Sequence, residues 1–424
     1  MKRSTILGII ALIWGIMNSG VSAEVYSLEK CVDIALQHNA SIVTAKNSYE
    51  ASRFSVYNSY GRLLPSISIS TSQTEYWEPR YGKSQGASGG ISIRETLGGF
   101  GLANYHDIRA SRAQKQSRYY SYINTKQAVV LAVKEAYFNL IKADMLVEVA
   151  NDALKRGEEQ LKVAQSRYDL GSAALSDVLK AKVLRSNARL DLITAQNNYN
   201  LAKANLNSVM GIDIAREFEV AHDLPSETFD ITYDEALNQA LNHNASYKKS
   251  SYDLAAAKSE LGAARTNFLP DFSFSVNYGT AADKYFDLFK NDYMASNATR
   301  SVGFSVSYNI FNNLGDLTSL VAAKKNLNSA KSVYENGRND VVLEVKQAYL
   351  DVQQNKEKLT VNDESVAAAQ EDLNIVREKY NLGAATIIEV LDAEVSFKTA
   401  QTNKVQALFD YNLAISRLEK AMGK

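Results

Sequence analysis

Ala35-Leu36-Gln37-His38-Asn39-Ala40-Ser41 and Ala240-Leu241-Asn242-His243-Asn244-Ala245-Ser246 are one stretch written twice, 205 residues apart. Leu64-Pro65 returns as Leu269-Pro270 at the same offset. Val133-Lys134-Glu135-Ala136-Tyr137 returns as Val345-Lys346-Gln347-Ala348-Tyr349, now 212 residues on, and Met210-Gly211 returns as Met422-Gly423. An internal tandem duplication is the expectation. The change of offset places a longer insert in the second copy, between Pro270 and the next helix.

Each copy reads alike. A short amphipathic helix begins at Ser27 or Thr232, and Thr232 with Glu235 three residues on forms a capping box. A helix of about 25 residues follows and stops at the Leu-Pro pair, because the residue before proline is pushed out of helical geometry. Strict alternation comes next. Ile67 and Ile69 alternate with Ser66, Ser68 and Ser70, and Ile91 and Ile93 flank Ser92. In the second copy Phe272, Phe274, Val276 and Tyr278 alternate with Ser273, Ser275 and Asn277. Val302, Phe304, Val306, Tyr308 and Ile310 alternate with Gly303, Ser305, Ser307 and Asn309. A period of two with one apolar and one small polar face signals half-buried strands, here of a kind that fits a transmembrane barrel. Tyr76, Trp77, Tyr81, Tyr285, Phe286, Phe289 and Tyr293 are placed in the loops between strands, where aromatic rings suit a bilayer interface.

After the strands, proline-free stretches predict helices from about Asn104 to Tyr168 and Thr318 to Tyr380, each near 100 Å long at 1.5 Å per residue. Val129, Val133, Tyr137 and Leu140 make one stripe, and Val341, Val345, Tyr349 and Val352 repeat it. Helices of that length pack side by side as a coiled-coil wall. Each ends at Leu170-Gly171 or Leu382-Gly383, where glycine takes the left-handed cap. A returning helix of about 38 residues follows.

The start of the chain has a basic Met1-Lys2-Arg3, an apolar run from Ile6 to Met17 and small residues at Val21-Ser22-Ala23, the pattern of a secretory signal peptide over residues 1–23. No later stretch offers the roughly 20 apolar residues of a membrane helix. The 47 basic and 47 acidic residues balance, so no nucleic-acid footprint is expected. The single Cys31 permits no intramolecular disulfide and reads as a small buried residue. His38, His106, His222 and His243 are scattered, and no nucleophile–base or phosphate-cradling pattern appears. No enzyme, cofactor or metal site is expected.

These residues resemble the TolC family of outer-membrane efflux proteins. The resemblance rests on Arg167-Tyr168-Asp169-Leu170-Gly171-Ser172 and Lys379-Tyr380-Asn381-Leu382-Gly383-Ala384 with the segments after them. The doubled Leu-Pro and the helix-start Asn39 and Asn244 add to it, and it covers essentially the whole chain after the leader. The family often has proline after that asparagine; Ala40 and Ala245 stand there instead, which softens the helix start without changing the fold. The resemblance implies an α+β fold in which each chain gives four strands to a trimeric transmembrane β-barrel continuous with a long periplasmic α-helical barrel. It implies residues 24–211 and 232–424 as the two repeats, joined by an equatorial linker at 212–231. It implies an exit duct for efflux or type I secretion, lodged in outer-membrane lipid and served by a periplasmic membrane-fusion adaptor and, indirectly, an inner-membrane pump. Leu170, Gly171, Ser172, Leu382, Gly383 and Ala384 are the candidate adaptor-contacting tips.

The trimer also has an argument of its own: four strands leave open edges that a bilayer does not tolerate, and cyclic symmetry closes them. Glu389 and Asp392 lie three apart on one helix face and Asp177 is the first-copy equivalent of Glu389, so a periplasmic constriction ringed by carboxylates competes with a solvated helix start. The alternative function is a periplasmic coiled-coil scaffold without a pore.

Overall fold

The computed structural model describes residues 25–78, 82–220, 230–290 and 296–424. The leader, Tyr81, His222, Tyr293 and most of the second half of the linker lie outside the described residues.

The elements in chain order are β1 (Val25–Tyr26), α1 (Leu28–His38), α2 (Ala40–Gly61), β2 (Ser66–Glu78), β3 (Gly82–Leu97), α3 (Leu102–Asp169), α4 (Leu175–Met210) and β4 (Glu219–Val220). They continue with α5 (Tyr233–His243), α6 (Ala245–Thr266), β5 (Asp271–Ala282), β6 (Thr299–Ser307), α7 (Gly315–Asn381) and α8 (Ile387–Ala421). Short 3-10 turns occupy Gly98–Gly101 and Tyr285–Phe289. Element lengths recur: α1 and α5 have 11 residues each, and α2 and α6 have 22 each. The long helices have 68 and 67.

Two compact units divide the chain, each drawing on both halves of the sequence. One comprises residues up to Val43, Thr125–Ala240 and Leu343–Lys424. Its core is the stripe on α3: Val129, Val133, Tyr137 and Leu140 are all buried, as are Val345 and Val352 on α7; Val341 of the same stripe is buried too but belongs to the other unit. Tyr349 is only half-buried, set edge-on to Tyr233 at 5.7 Å. β1 and β4 pair in parallel, and Tyr26 stacks on Phe218 at 4.9 Å. Ser27 caps α1 by accepting from the Lys30 amide at 3.2 Å. At the junction of α1 and α2 the Asn39 side chain donates to the Val209 carbonyl at 2.8 Å and accepts from the Ser41 amide. Gly211 ends α4 with φ +76°, and a Cβ there would meet the His38 carbonyl oxygen at 2.8 Å, so only glycine fits.

The other unit, Thr44–Asn124 and Leu241–Val342, carries the sheet. Its strands run antiparallel in the order β2-β3-β5-β6. The register sorts the alternation cleanly. Ile67 faces Ile93, Ile93 faces Val276 and Val276 faces Val302, so the apolar residues share one side. On the other side Ser68 bonds Ser92 at 3.1 Å, Ser72 bonds Ser88 at 2.8 Å and Ser273 bonds Ser305 at 2.7 Å. Gly90 and Gly279 meet on that side so closely that a Cβ on Gly90 would lie 2.8 Å from the Gly279 Cα.

Two strand expectations need correction. Tyr76 and Trp77 belong to β2 itself, which runs to Glu78, rather than to a loop. β6 ends at Ser307, so Tyr308 and Ile310 lie beyond it. The cause is its partner: Ser307 faces Asp271, and Pro270 before it has no N–H to continue the ladder. Asn313 and Leu314 then turn through positive φ, and the Asn312 side chain accepts from the Asp316 amide at the start of α7.

Candidate functional site

The first helical turn is set by backbone geometry. After Arg167 the chain closes a Schellman motif: the Ser172 amide donates to the Arg167 carbonyl at 2.8 Å and Gly171, at φ +72°, donates to Tyr168. The second turn repeats it, with Ala384 donating to Lys379 at 2.8 Å and Gly383, at φ +79°, donating to Tyr380. Both turns push a leucine into solvent; Leu170 is 82% and Leu382 85% exposed.

The two turns are held together. The Arg167 guanidinium donates to the Tyr380 carbonyl and lies 4.7 Å from the centre of the Tyr380 ring. Tyr380 is buried with Ile387 and Val390, and Val163 of α3 packs against them. Burial pushes its phenol above the ordinary range; the charge of Asp177 adds to that rise and Arg167 opposes it. Asp177 therefore sits within electrostatic reach of Tyr380 in the second turn, while its own hydroxyl partner is its chain neighbour Ser176 at the start of α4.

Glu389 is occupied with its own helix. Its carboxylate accepts from the Thr386 amide at 2.6 Å, and the Glu389 amide donates back to the Thr386 hydroxyl, closing a capping box at the start of α8. Those bonds, first the backbone one and then the hydroxyl, hold its carboxyl below the usual carboxylate range. Glu235 is held down in the same way by Thr232. Asp392, one turn further on, is exposed. The structure thus gives Glu389 a cap role that the sequence reading missed. The signal was available, since Thr386-Ile387-Ile388-Glu389 has the same spacing as Thr232 to Glu235.

A second feature was not anticipated. Glu394 of α8 is buried, with its side chain 6% exposed, between Arg156 of α3 at 3.1 Å and Arg377 of α7. Arg156 also lies 5.0 Å over the Phe397 ring. Next to it Leu373, Ala393 and Phe397 form an apolar cluster. Lys398 pairs with Asp191 and so ties α8 to α4. Periodicity along one helix cannot announce such a site, because its three charges come from three helices.

His38 and His243 close the last turns of α1 and α5, and His106 lies against Gly262. Among the described residues no three His, Cys, Asp or Glu side chains cluster as metal ligands, and no helix is long and apolar enough to cross a membrane.

The sequence pattern of the family described as outer membrane efflux protein matches residues 31–212 and 236–424. The chain belongs to that family. As an outer membrane efflux protein it resides in the outer membrane and acts in export. It is 23% identical to the outer membrane protein TolC of Vibrio cholerae over 96% of its own length and 93% of the relative's. With the outer membrane efflux protein BepC of Brucella suis it shares 24% identity over 79% and 72% of the two chains. Among solved structures, the outer membrane protein VceC of Vibrio cholerae superposes with a TM-score of 0.80 at 20% identity, covering 93% of this chain and 96% of that one. The CmeC outer membrane channel of Campylobacter jejuni does so with 0.82 at 20% identity, covering 93% and 85%. These likenesses establish the efflux-channel fold, mostly helical with a small sheet.

Proposed function

We propose that this efflux protein is a passive exit duct made of three copies, each giving β2, β3, β5 and β6 to one twelve-stranded barrel and its long helices to a periplasmic tunnel. The observation that carries the reading is the sheet. Within the described residues β2 and β6 have no outer partner, while one face gathers Ile67, Ile69, Ile91, Ile93, Val276 and Val302 and the other is mostly serine and glycine. In lipid such edges must be closed, and a wet lumen suits the hydroxyl face.

The helices support the same assembly. Leu175, Leu179, Val183, Leu190, Ile193 and Leu201 of α4 recur three, four, seven or eight residues apart and are all more than half exposed. A stripe of that kind is a coiled-coil seam awaiting a neighbour, and a second copy is the neighbour that cyclic closure supplies.

In this reading residues 24–211 and 232–424 are the duplicated repeats and 212–231 is the equatorial linker. Leu170-Gly171-Ser172 and Leu382-Gly383-Ala384 meet a periplasmic membrane-fusion adaptor, through which an inner-membrane pump delivers cargo. Asp177, Glu389 and Asp392, multiplied by three, ring the entrance. The test is the mass of the detergent-solubilised protein, with outer-membrane fractionation alongside. A trimer retained in the outer membrane after carbonate washing is expected. A stable monomer, or recovery in the soluble periplasm, rejects the duct.

A further inference from the structure

We infer that the short turn Tyr285–Phe289, after β5, is a lipid anchor laid along the outward face of the barrel at its distal end, seated at the boundary between acyl chains and anionic headgroups of the outer leaflet. The inference rests on the barrel reading above.

The side on which the turn lies follows from contacts. Tyr285 donates or accepts a hydrogen bond with Thr71 at 2.9 Å. Leu288 is buried against Ala87 and Ala282, and a Cβ on Gly89 would touch it at 3.5 Å. Thr71 faces Gly89, and Ala87 faces Ala282. All four stand on the face of Ile67, Ile69, Ile91, Ile93 and Val276, not on the serine face. The turn therefore does not reach across the lumen. It folds back over the side that a bilayer wets.

Height supplies the reason. On β5 the apolar side chains of that face run from Phe272 to Tyr278. Six residue steps cover about 20 Å of strand, or about 15 Å of height at a tilt near 40°, against a band of about 25 Å in barrels of this type. Beyond Tyr278 the face would offer Thr71, Gly89 and Thr280, too polar or too small to meet acyl chains. The turn covers this stretch and presents Phe286 and Phe289 outward, 82% and 63% exposed, with Tyr285 edge-on to both. Carried to Ala282, where Leu288 sits, the apolar surface gains four more strand residues and reaches about 25 Å.

The charges agree with a headgroup boundary. Lys284 and Lys290 bracket the turn, and Lys290 pairs with Asp287 at 2.6 Å. Aromatic rings flanked by cations that can reach phosphate are the composition of an interfacial segment. At the opposite end Phe100, Phe272 and Phe304 form a contiguous aromatic group, with centroids 4.7 and 5.9 Å apart.

The experiment uses the mature trimer reconstituted in phosphatidylcholine–phosphatidylglycerol vesicles, with Trp77→Phe as background and single Phe286→Trp, Phe289→Trp or Val302→Trp reporters. Lipids brominated high on the acyl chain should quench the two turn reporters at least twofold, and more than lipids brominated near the chain end. Aqueous iodide should quench them weakly. Val302→Trp, on the apolar face of β6, should favour the deep quencher. If the turn reporters answer to iodide and not to lipid while Val302→Trp is lipid-quenched, the anchor is wrong and the barrel stands. If no reporter is lipid-quenched, the barrel reading fails and the anchor falls with it.

Discussion

Glu394 on α8 accepts a hydrogen bond from Arg156 on α3 at 3.1 Å, so a buried carboxylate of the second half of the chain is fastened to the first half. Arg377 of α7 holds its other oxygen. Removing one partner from a buried pair leaves the others desolvated without compensation, at a cost of about 3 kcal/mol or more. Glu394→Ala should therefore loosen the helices around Phe397. Hydrogen exchange should show lost protection over residues 373–397, with the sheet strands unchanged. Unaltered exchange there would mean that the apolar cluster alone holds the site.

The carboxylates proposed to ring the entrance need a test that spares the cap. Glu389→Gln with Asp392→Asn removes both charges, while glutamine still serves at the third position of a capping box. Assembly should stay intact and divalent-cation block of conductance across a planar bilayer should weaken, because clustered carboxylates focus cations. Equal block in wild type and variant would reduce the pair to helix-start residues.

Acid should act on the same cap with a defined sign. The Glu389 carboxyl titrates below its ordinary 4.5, as does that of Glu235. A depressed folded value means that the stabilisation is complete above the ordinary value and is lost as pH falls through the lower, folded one. Lowering pH from about 6 to about 3 should fray the first turns of α8 and α5. Amide protection at residues 386–390, corrected for intrinsic rates, reports it. Glu389→Gln should abolish that pH dependence at α8 and leave it at α5.

Two of the left-handed glycines, Gly171 and Gly211, should respond differently to alanine. Gly171 has open space where a Cβ would go, so Gly171→Ala costs only the αL conformation, about 1–2 kcal/mol. Gly211→Ala adds a collision with the His38 carbonyl. Thermal melting should fall further for Gly211→Ala. Equal shifts would show that the junction yields.

Cys31 is buried and its thiol is pushed up to about 12 by desolvation. Reactivity needs the thiolate, so a water-soluble maleimide at pH 8 should leave the native protein unlabelled and label it fully once denatured. Rapid native labelling would show that α1 detaches.

How much of this was legible in the sequence depended on the range of the interaction involved. Val133, Tyr137 and Leu140 announce a buried helix face by spacing alone, and Ile67, Ile69 and Val276 announce a strand face in the same manner, because one element's period carries the information. Leu170-Gly171 and Leu382-Gly383 are equally local. What escaped was assembled from afar. Arg156, Arg377 and Glu394 come from three helices, and Arg167 meets Tyr380 across 213 residues of sequence. The end of β6 was misplaced because it is decided by Pro270 on the neighbouring strand. Tyr285 was recognised as aromatic at a strand end, yet the direction in which its turn folds is a tertiary fact.

The hydroxyl pairs Ser68–Ser92, Ser72–Ser88 and Ser273–Ser305 have one more consequence. Hydroxyls bonded to one another across strands are a neutral wall with little appetite for a passing solute. Charge on that face is held to the two ends, at Arg94 and Asp271 on one side and at the Glu78 position on the other, whereas the stretch formed by Ser70, Ser72, Ser88, Gly90, Asn277 and Gly279 carries none. A duct so lined is slippery rather than selective. In the proposed duct that stretch neither concentrates ions of one sign nor retains a cationic drug or an acidic polypeptide, and discrimination among cargoes falls to the groups at either end.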